Sequence, residues 1–357
     1  MLHGSMYRRH RFGGRFVSAL LTVMALAWPC IGHTQVPTFN TVIKTGTGSQ
    51  PWQNPLPAAV GDFNNDGKLD AMIADSTATL RYLSGNGDGT FSRINITPES
   101  ITTANQIALA AGFLPYLPKY ADGYGQTKTA DINGDGRLDV ISVMGAHINF
   151  APLYGITVSL NTGNDGNGVP QFSTTHNFLP AQDVRAFAAG DLNGDGNSDF
   201  IAGFAYGQLL IYLSNGDGSL SQGQITGISS PSSAVAGIAI ADLNGDGKGD
   251  VVATTGQGNG TTDVFLGNGD GTLQAPVSIA TDFGTVVAVA DVNGDSSPDI
   301  VRGFGDGSVA VSLNNGSGTF GNATSFTTVA GGGVTGFFMS DVNGDGNLDA
   351  ALSLYGA

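Results

Sequence analysis

The residues best able to do chemistry in this chain are aspartates, and they come in groups of three. One nine-residue pattern, D-x-N-x-D-G-x-x-D, recurs six times: DFNNDGKLD from Asp62, DINGDGRLD from Asp131, DLNGDGNSD from Asp191, DLNGDGKGD from Asp242, DVNGDSSPD from Asp291 and DVNGDGNLD from Asp341. These loops hold 18 of the 29 acidic residues, and Glu99 is the sole glutamate. Three carboxylates within nine residues repel one another unless a cation neutralises them. The spacing supplies oxygen ligands at positions 1, 3 and 5, a glycine at 6 for a sharp turn, a backbone carbonyl at 7 and a closing carboxylate at 9. The first seven positions match the opening half of a calcium loop.

The expected donors are Asp62, Asn64, Asp66, Lys68 and Asp70 in the first copy, and Asp131, Asn133, Asp135, Arg137 and Asp139 in the second. They are Asp191, Asn193, Asp195, Asn197 and Asp199 in the third, and Asp242, Asn244, Asp246, Lys248 and Asp250 in the fourth. The last two copies offer Asp291, Asn293, Asp295, Ser297 and Asp299, then Asp341, Asn343, Asp345, Asn347 and Asp349, with position 7 acting through its carbonyl throughout. An all-oxygen, flexible donor set favours Ca2+ over zinc, which prefers nitrogen and sulfur, and over magnesium, which prefers a stiff octahedron. About one Ca2+ per repeat is expected. The fifth copy should bind most weakly, because Ser296 stands where the turn wants a glycine with positive φ.

Material for covalent or acid–base catalysis is scarce. Past the first 34 residues the only histidines are His147 and His176, in different repeats, and there is no cysteine. Nucleophile and base pairs therefore have almost nothing to draw on. Asp75, Glu99, Asp183, Asp263, Asp282 and Asp306 lie outside the acidic loops and the Gly-rich turns. They read as solvated turn or strand-edge residues.

The elements that carry the loops follow from their period. The acidic loops start 69, 60, 51, 49 and 50 residues apart, a unit of about 50 with insertions in the first two intervals. Each unit has an apolar run into the loop and a second run out of it, as in Thr285 to Ala290 and Ile300 to Val301. A third run, such as Leu209 to Leu213, ends in a Gly/Asn/Asp turn: SGNGDGTF from Ser84, SNGDGSL from Ser214, GNGDGTL from Gly267, NNGSGTF from Asn314. A fourth, more variable run leads to the next unit. Four short strands per period with no helical periodicity describe an all-β propeller of four-stranded antiparallel blades. Six blades are expected, the last incomplete or composite, or seven if Arg93 to Lys128 forms a degenerate blade. Phe39 to Gly46 is expected to pair into the last blade and close the ring.

Composition sets the surroundings. Arg8, Arg9, Arg11 and Arg15 precede the mostly apolar Phe16 to Trp28, the layout of a secretory signal, so residues 1–34 are expected to be removed and 35–357 to form one propeller domain. Removal takes four arginines and no acid, moving the formal charge from −15 to −19, or 10 bases against 29 acids. Such a balance excludes nucleic acid and anionic membranes as partners, and the apolar run is too short to span a bilayer. The chain is expected to be secreted, extracellular or periplasmic. With no cysteine left, stability must come from a core, from metal, or from both.

Other calcium modules fit poorly: an EF-hand needs flanking helices and a Glu at position 12, yet strand-like VIS, FIA or VVA follows these loops. The six loops and the second turns instead resemble the FG-GAP-like, or VCBS, repeat, related to the calcium-loop blades of integrin α-subunit heads. The resemblance runs from about Gln35 to the C-terminus. It implies a propeller whose calcium loop joins strands 1 and 2 of each blade. No Gly-Ala-Pro tripeptide occurs, and Asn65 replaces the usual glycine at position 4 of the first loop. The function expected is that of a non-enzymatic binding or adhesion module for an extracellular protein or carbohydrate. A calcium-dependent polysaccharide lyase or hydrolase is the alternative. A ligand surface is expected opposite the acidic loops, at Tyr116, Tyr120, Tyr124 and Tyr154, whose rings carry a polar tip suited to sugars or protein.

Overall fold

The computed structural model describes residues 58–74, 80–87, 91–94, 126–148, 151–178, 184–256, 260–327, 333–340 and 348–355. Every element among them is a strand. The sequence-predicted signal segment, Phe39 to Gly46, the segment 95–125 and Tyr116, Tyr120 and Tyr124 lie outside the described residues.

Twenty-two strands form five four-stranded antiparallel sheets and one two-stranded sheet. The first blade holds β1 (Ala58–Gly61), β2 (Asp70–Ala74), β3 (Leu80–Gly85) and β4 (Phe91–Ile94). The second holds β5 (Gln126–Ala130), β6 (Asp139–Ile148), β7 (Ala151–Asn164) and β8 (Pro170–Phe178). The third holds β9 (Val184–Gly190), β10 (Asp199–Phe204), β11 (Gln208–Ser214) and β12 (Leu220–Gly227). The fourth holds β13 (Val235–Ala241), β14 (Asp250–Thr255), β15 (Thr262–Phe265) and β16 (Val277–Ala280). The fifth holds β17 (Gly284–Ala290), β18 (Asp299–Phe304), β19 (Ser308–Ser312) and β20 (Thr324–Thr327), and β21 (Gly333–Ser340) pairs with β22 (Asp349–Tyr355).

The expectation of six blades is thereby corrected to five four-stranded blades. Among the described residues the sixth repeat supplies two strands, the pair that flanks its acidic loop.

Each blade is a meander in chain order, so consecutive runs pair by hairpins. The apolar content of the runs places the core between neighbouring blades: Phe187, Phe200 and Tyr212 meet Ile141, Ile156 and Val158 of the second blade, and Ile201, Leu209 and Ile211 of the third meet Val251 and Phe265 of the fourth. First strands of successive blades lie side by side, β5 by β9, β9 by β13, β13 by β17 and β17 by β21. That crowding requires missing side chains. A Cβ on Gly203 would sit 2.5 Å from Val235 Cγ1, and one on Gly303 would sit 2.6 Å from Val334 Cγ1. The first strands also carry a repeated extra residue, at Arg185, Ala236, Thr285 and Thr335, where the register shifts. Such bulges add local twist.

Candidate functional site

The acidic loops join the first and second strands of their blades, and their conformation follows from their sequence. Position 4 takes positive φ in every described loop (Asn65 56°, Gly134 70°, Gly194 78°, Gly245 75°, Gly294 78°), and so does position 6 (Gly67 82°, Gly136 79°, Gly196 85°, Gly247 80°, Ser296 69°). Among described residues Asn65 and Ser296 are the only non-glycines with positive φ. A left-handed L-residue costs roughly 1–2 kcal/mol. Glycine returns about 0.5–1 kcal/mol of that through its freer unfolded chain. Ser296→Gly is therefore expected to stabilise the protein by about 0.5–1 kcal/mol, read as a higher urea midpoint at unchanged slope. A lower midpoint would count against strain at this turn.

The side-chain oxygens of positions 1, 3 and 5 fold over the loop's own amides. The Asp246 N–H donates to Asp242 Oδ1 at 3.1 Å and to Asn244 Oδ1 at 3.0 Å, which holds those two oxygens near one point. The Gly247 N–H donates to Asp242 Oδ2 at 2.8 Å, and the Lys248 N–H to Asp246 Oδ1 at 3.0 Å. The same pattern recurs at Asp62, Asn64 and Asp66, at Asp131, Asn133 and Asp135, and at Asp291, Asn293 and Asp295. The third loop keeps it in part, through Asp191, Asn193 and Asp195. Hydrogen bonds from Asn197 hold the Asp195 carboxyl below its ordinary range, and those from Asn293 and Ser297 do the same for Asp295.

Position 7 adds a side-chain role that the spacing did not reveal. Lys248 lies 3.6 Å from Asp246 and Lys68 lies 3.8 Å from Asp66, while Arg137 pairs with Asp135. In three loops a surface cation thus already faces the position-5 carboxylate. These pairs are exposed and weak.

Position 9 differs most from the expectation of a simple closing ligand. Asp70, Asp139, Asp199, Asp250 and Asp299 are fully buried. One oxygen accepts the N–H of position 2: Phe63 at 3.0 Å, Ile132 at 2.8 Å, Leu192 at 2.9 Å, Leu243 at 2.9 Å and Val292 at 3.1 Å. The other accepts an N–H near the end of the third strand or just past it: Gly85 at 2.8 Å, Asn161 at 2.7 Å, Ser214 at 2.9 Å, Gly267 at 2.7 Å and Asn314 at 2.8 Å. Each position-9 carboxylate therefore ties the loop to the far hairpin of its own blade. Burial pushes Asp139 up to about 6 and also raises Asp199, Asp250 and Asp299, outweighing the two amides, which pull the other way.

The residue at this position also reaches the blade before it. Asn161 Nδ2 donates to the Phe63 carbonyl at 2.8 Å, Ser214 Oγ to that of Ile132 at 2.7 Å, and Asn314 Nδ2 to that of Leu243 at 2.7 Å. Gly267 has no side chain to do this, and the Gly271 N–H serves the Leu192 carbonyl instead at 2.9 Å. A Cβ on Gly267 would lie 2.2 Å from the Gly249 carbonyl, so that site admits only glycine.

Among the described residues no three His, Cys, Asp or Glu side chains come together as a metal cluster, since position 9 is turned into the blade and position 3 is Asn. The donor chemistry nevertheless suits a hard cation. Positions 1, 3 and 5 gather oxygens only and position 7 adds a carbonyl, while the position-1 Oδ1 takes two amides in the third, fourth and fifth loops, from Asn193 and Gly194, Gly245 and Asp246, and Gly294 and Asp295. The sixth loop, at Asp341, Asn343, Asp345 and Asn347, lies outside the described residues. Asp349 begins β22, where its residue pairs with Ser340.

The other sequence-predicted site is only partly placed. Tyr154 lies in β7 opposite Gly145, on a long β6–β7 hairpin that runs to Ile148 and Ala151. The acids read as solvated divide. Asp306 is a turn residue, taking the N–H and hydroxyl of Ser308. Asp263 is corrected: it is fully buried in β15. Asp282 pairs with Arg302, which is itself fully buried in β18 and also bonds Ser312 Oγ at 3.1 Å.

No curated protein sequence matches the chain. Among solved structures it is similar to BBS1N in complex with ARL6DN, soaked with lead, at 12% identity over 84% of this chain and 92% of that one, with a TM-score of 0.40. The mercury-soaked form gives 13% identity over 83% and 76%, with a TM-score of 0.44. Chaetomium thermophilum Raptor gives 11% identity over 87% of this chain but 24% of that one, with a TM-score of 0.47. A family model described as FG-GAP-like repeat matches residues 131–202, 191–253, 242–302 and 291–352, each match opening on the first aspartate of one acidic loop and ending beyond the next. These matches cover more than half of the chain, and it belongs to the FG-GAP-like repeat family.

Proposed function

We propose that this propeller is a secreted, calcium-stabilised binding module that recognises an extracellular protein or carbohydrate. The observation that carries the calcium reading is the repeated convergence of the position 1 and position 3 oxygens on one amide, with a position 5 carboxylate beside them. In each loop the first, third and fifth side chains and the seventh carbonyl would hold the ion. Bound calcium supplies positive charge that offsets the repulsion between these acids. The loops and the Gly-rich turns share one face of the blades, as the approach of Lys248 to Gly269 records. The opposite face is left to the connections between strands 2 and 3 and between blades, and a binding role belongs there.

Calorimetric titration of chelator-treated protein with CaCl2 tests the first part. About one site per loop is expected, with dissociation constants on the order of 10⁻⁴ to 10⁻³ M. The fifth loop should be among the weakest, since Ser296 holds a strained φ. No heat of binding, or equal binding of magnesium, would sink it. A glycan panel run beside an assay for reducing ends and unsaturated sugars tests the second part. Binding without product supports the module, and product release would favour the lyase or hydrolase reading.

A further inference from the structure

We propose that the recess formed by the connections around the third and fourth blades, on the face opposite the acidic loops, binds a neutral carbohydrate of one or two rings. This rests on the reading of the chain as a binding module and names its site. The recess measures about 740 Å³, within the usual range of small-ligand sites. Its walls are residues 229–233 of the link between the two blades, Gly260 and Thr261 before β15, and Thr281 and Phe283 between β16 and β17.

The lining chemistry selects the ligand. Ser229, Ser230, Ser232, Ser233, Thr261 and Thr281 bring six hydroxyls, each able to donate and accept, and no lining side chain is charged. Phe283 also lines the recess, and this large apolar side chain is 52% exposed. A ring held open to water beside a cluster of hydroxyls suits a ligand with an apolar face and a polar edge, as a pyranose has. A protein partner would need about 800 Å² of complementary surface on each side, more than a recess of this kind offers alone.

The walls are built and not merely left over. Ser230 to Ser233 form a turn closed by the Ser233 N–H to the Ser230 carbonyl at 3.0 Å, with Pro231 at the position that proline favours and the two hydroxyls 2.9 Å apart. The Thr261 N–H is held by Thr255 Oγ1 at 2.7 Å. Gly260 packs so closely on the next link that a Cβ would lie 2.3 Å from the Asp282 carbonyl. Behind the wall sits Asp263, fully buried, whose Oδ2 accepts the Ser229 N–H at 2.6 Å and the Thr261 hydroxyl at 3.4 Å. Its Oδ1 has no hydrogen-bond partner. This carboxylate anchors two lining residues from behind the wall. It also sets the sign of the site. Arg302 is already matched by Asp282, so of these three charges the Asp263 carboxylate is the one without a counter-ion, and an acidic sugar is repelled.

The test uses the whole protein in calcium buffer and saturation-transfer NMR with maltose, cellobiose, mannobiose, galactobiose and digalacturonate as probes. At least one neutral disaccharide should bind, and digalacturonate should bind more weakly than it. Phe283→Ala should weaken that binding by about tenfold at an unchanged melting temperature, and Thr281→Val should weaken it less. No binding by any neutral probe, binding unchanged by Phe283→Ala, or preference for digalacturonate would overturn the proposal. A disaccharide bound equally by parent and Phe283→Ala would remove this site while leaving the module reading intact. Failure of the calcium titration beside Phe283-dependent sugar binding would keep this site and remove only the calcium part of that reading.

Discussion

Asp250→Ala is expected to lower stability by about 2–6 kcal/mol, and to do so equally in calcium and in chelator. The change deletes the acceptor of two buried amides, the Leu243 N–H at 2.9 Å and the Gly267 N–H at 2.7 Å. Each buried donor left without a partner costs about 1–3 kcal/mol. Asp246→Ala, four residues earlier, is the control. It removes an exposed carboxylate that holds only the Lys248 amide and a weak pair with the Lys248 side chain. In chelator it should cost less than about 1 kcal/mol, and its larger cost should emerge only in calcium. Asp250→Asn should fall between, since an amide offers one acceptor and turns its NH2 toward the other N–H. Urea midpoints at unchanged slope measure all three. If Asp250→Ala loses stability only when calcium is present, position 9 acts chiefly as a metal ligand and the tie to the far hairpin is secondary.

That contrast shows where sequence reading stops. The nine-residue spacing is local, and it made position 9 look like one more oxygen around an ion. The second partner of Asp250 lies 17 residues on, at Gly267, and that distance is set by how β14 pairs with β15. No local pattern carries such information. A signal did exist in the residue at the end of each third run, which is Gly, Asn, Ser, Gly and Asn at 85, 161, 214, 267 and 314. Small or amide residues at one offset mark a backbone contact. The blade grammar was legible because alternation, turn glycines and period all depend on near neighbours. Even the irregular Asn65 and Ser296 stood at the two offsets where the chain takes positive φ. Asp263 and Arg302 were not legible, because burial between two sheets cannot be read from one strand. Nor was the recess, whose run of serines looked like an ordinary link until the connections on both sides closed around it.

Removing calcium should be the largest single perturbation of this fold. For a site with a dissociation constant near 1 mM, calcium at 10 mM stabilises the native state by about 1.4 kcal/mol. Six such loops together would contribute about 8 kcal/mol, comparable with the whole stability of many domains. The second and third loops are also joined directly, the Ser198 N–H donating to the Asp131 carbonyl at 2.8 Å. A chelator should lower the melting temperature by on the order of 10 °C or more, and restored calcium should recover it. Screening has to be separated from binding, because a chain of net charge −15 is stabilised by salt of any kind. The comparison is made with sodium chloride at matched ionic strength and with magnesium at matched concentration. Recovery by calcium well beyond either control is the expected result. Equal recovery by sodium chloride would reduce the acidic loops to a charge effect, and indifference to chelator would leave their carboxylates to the backbone amides alone.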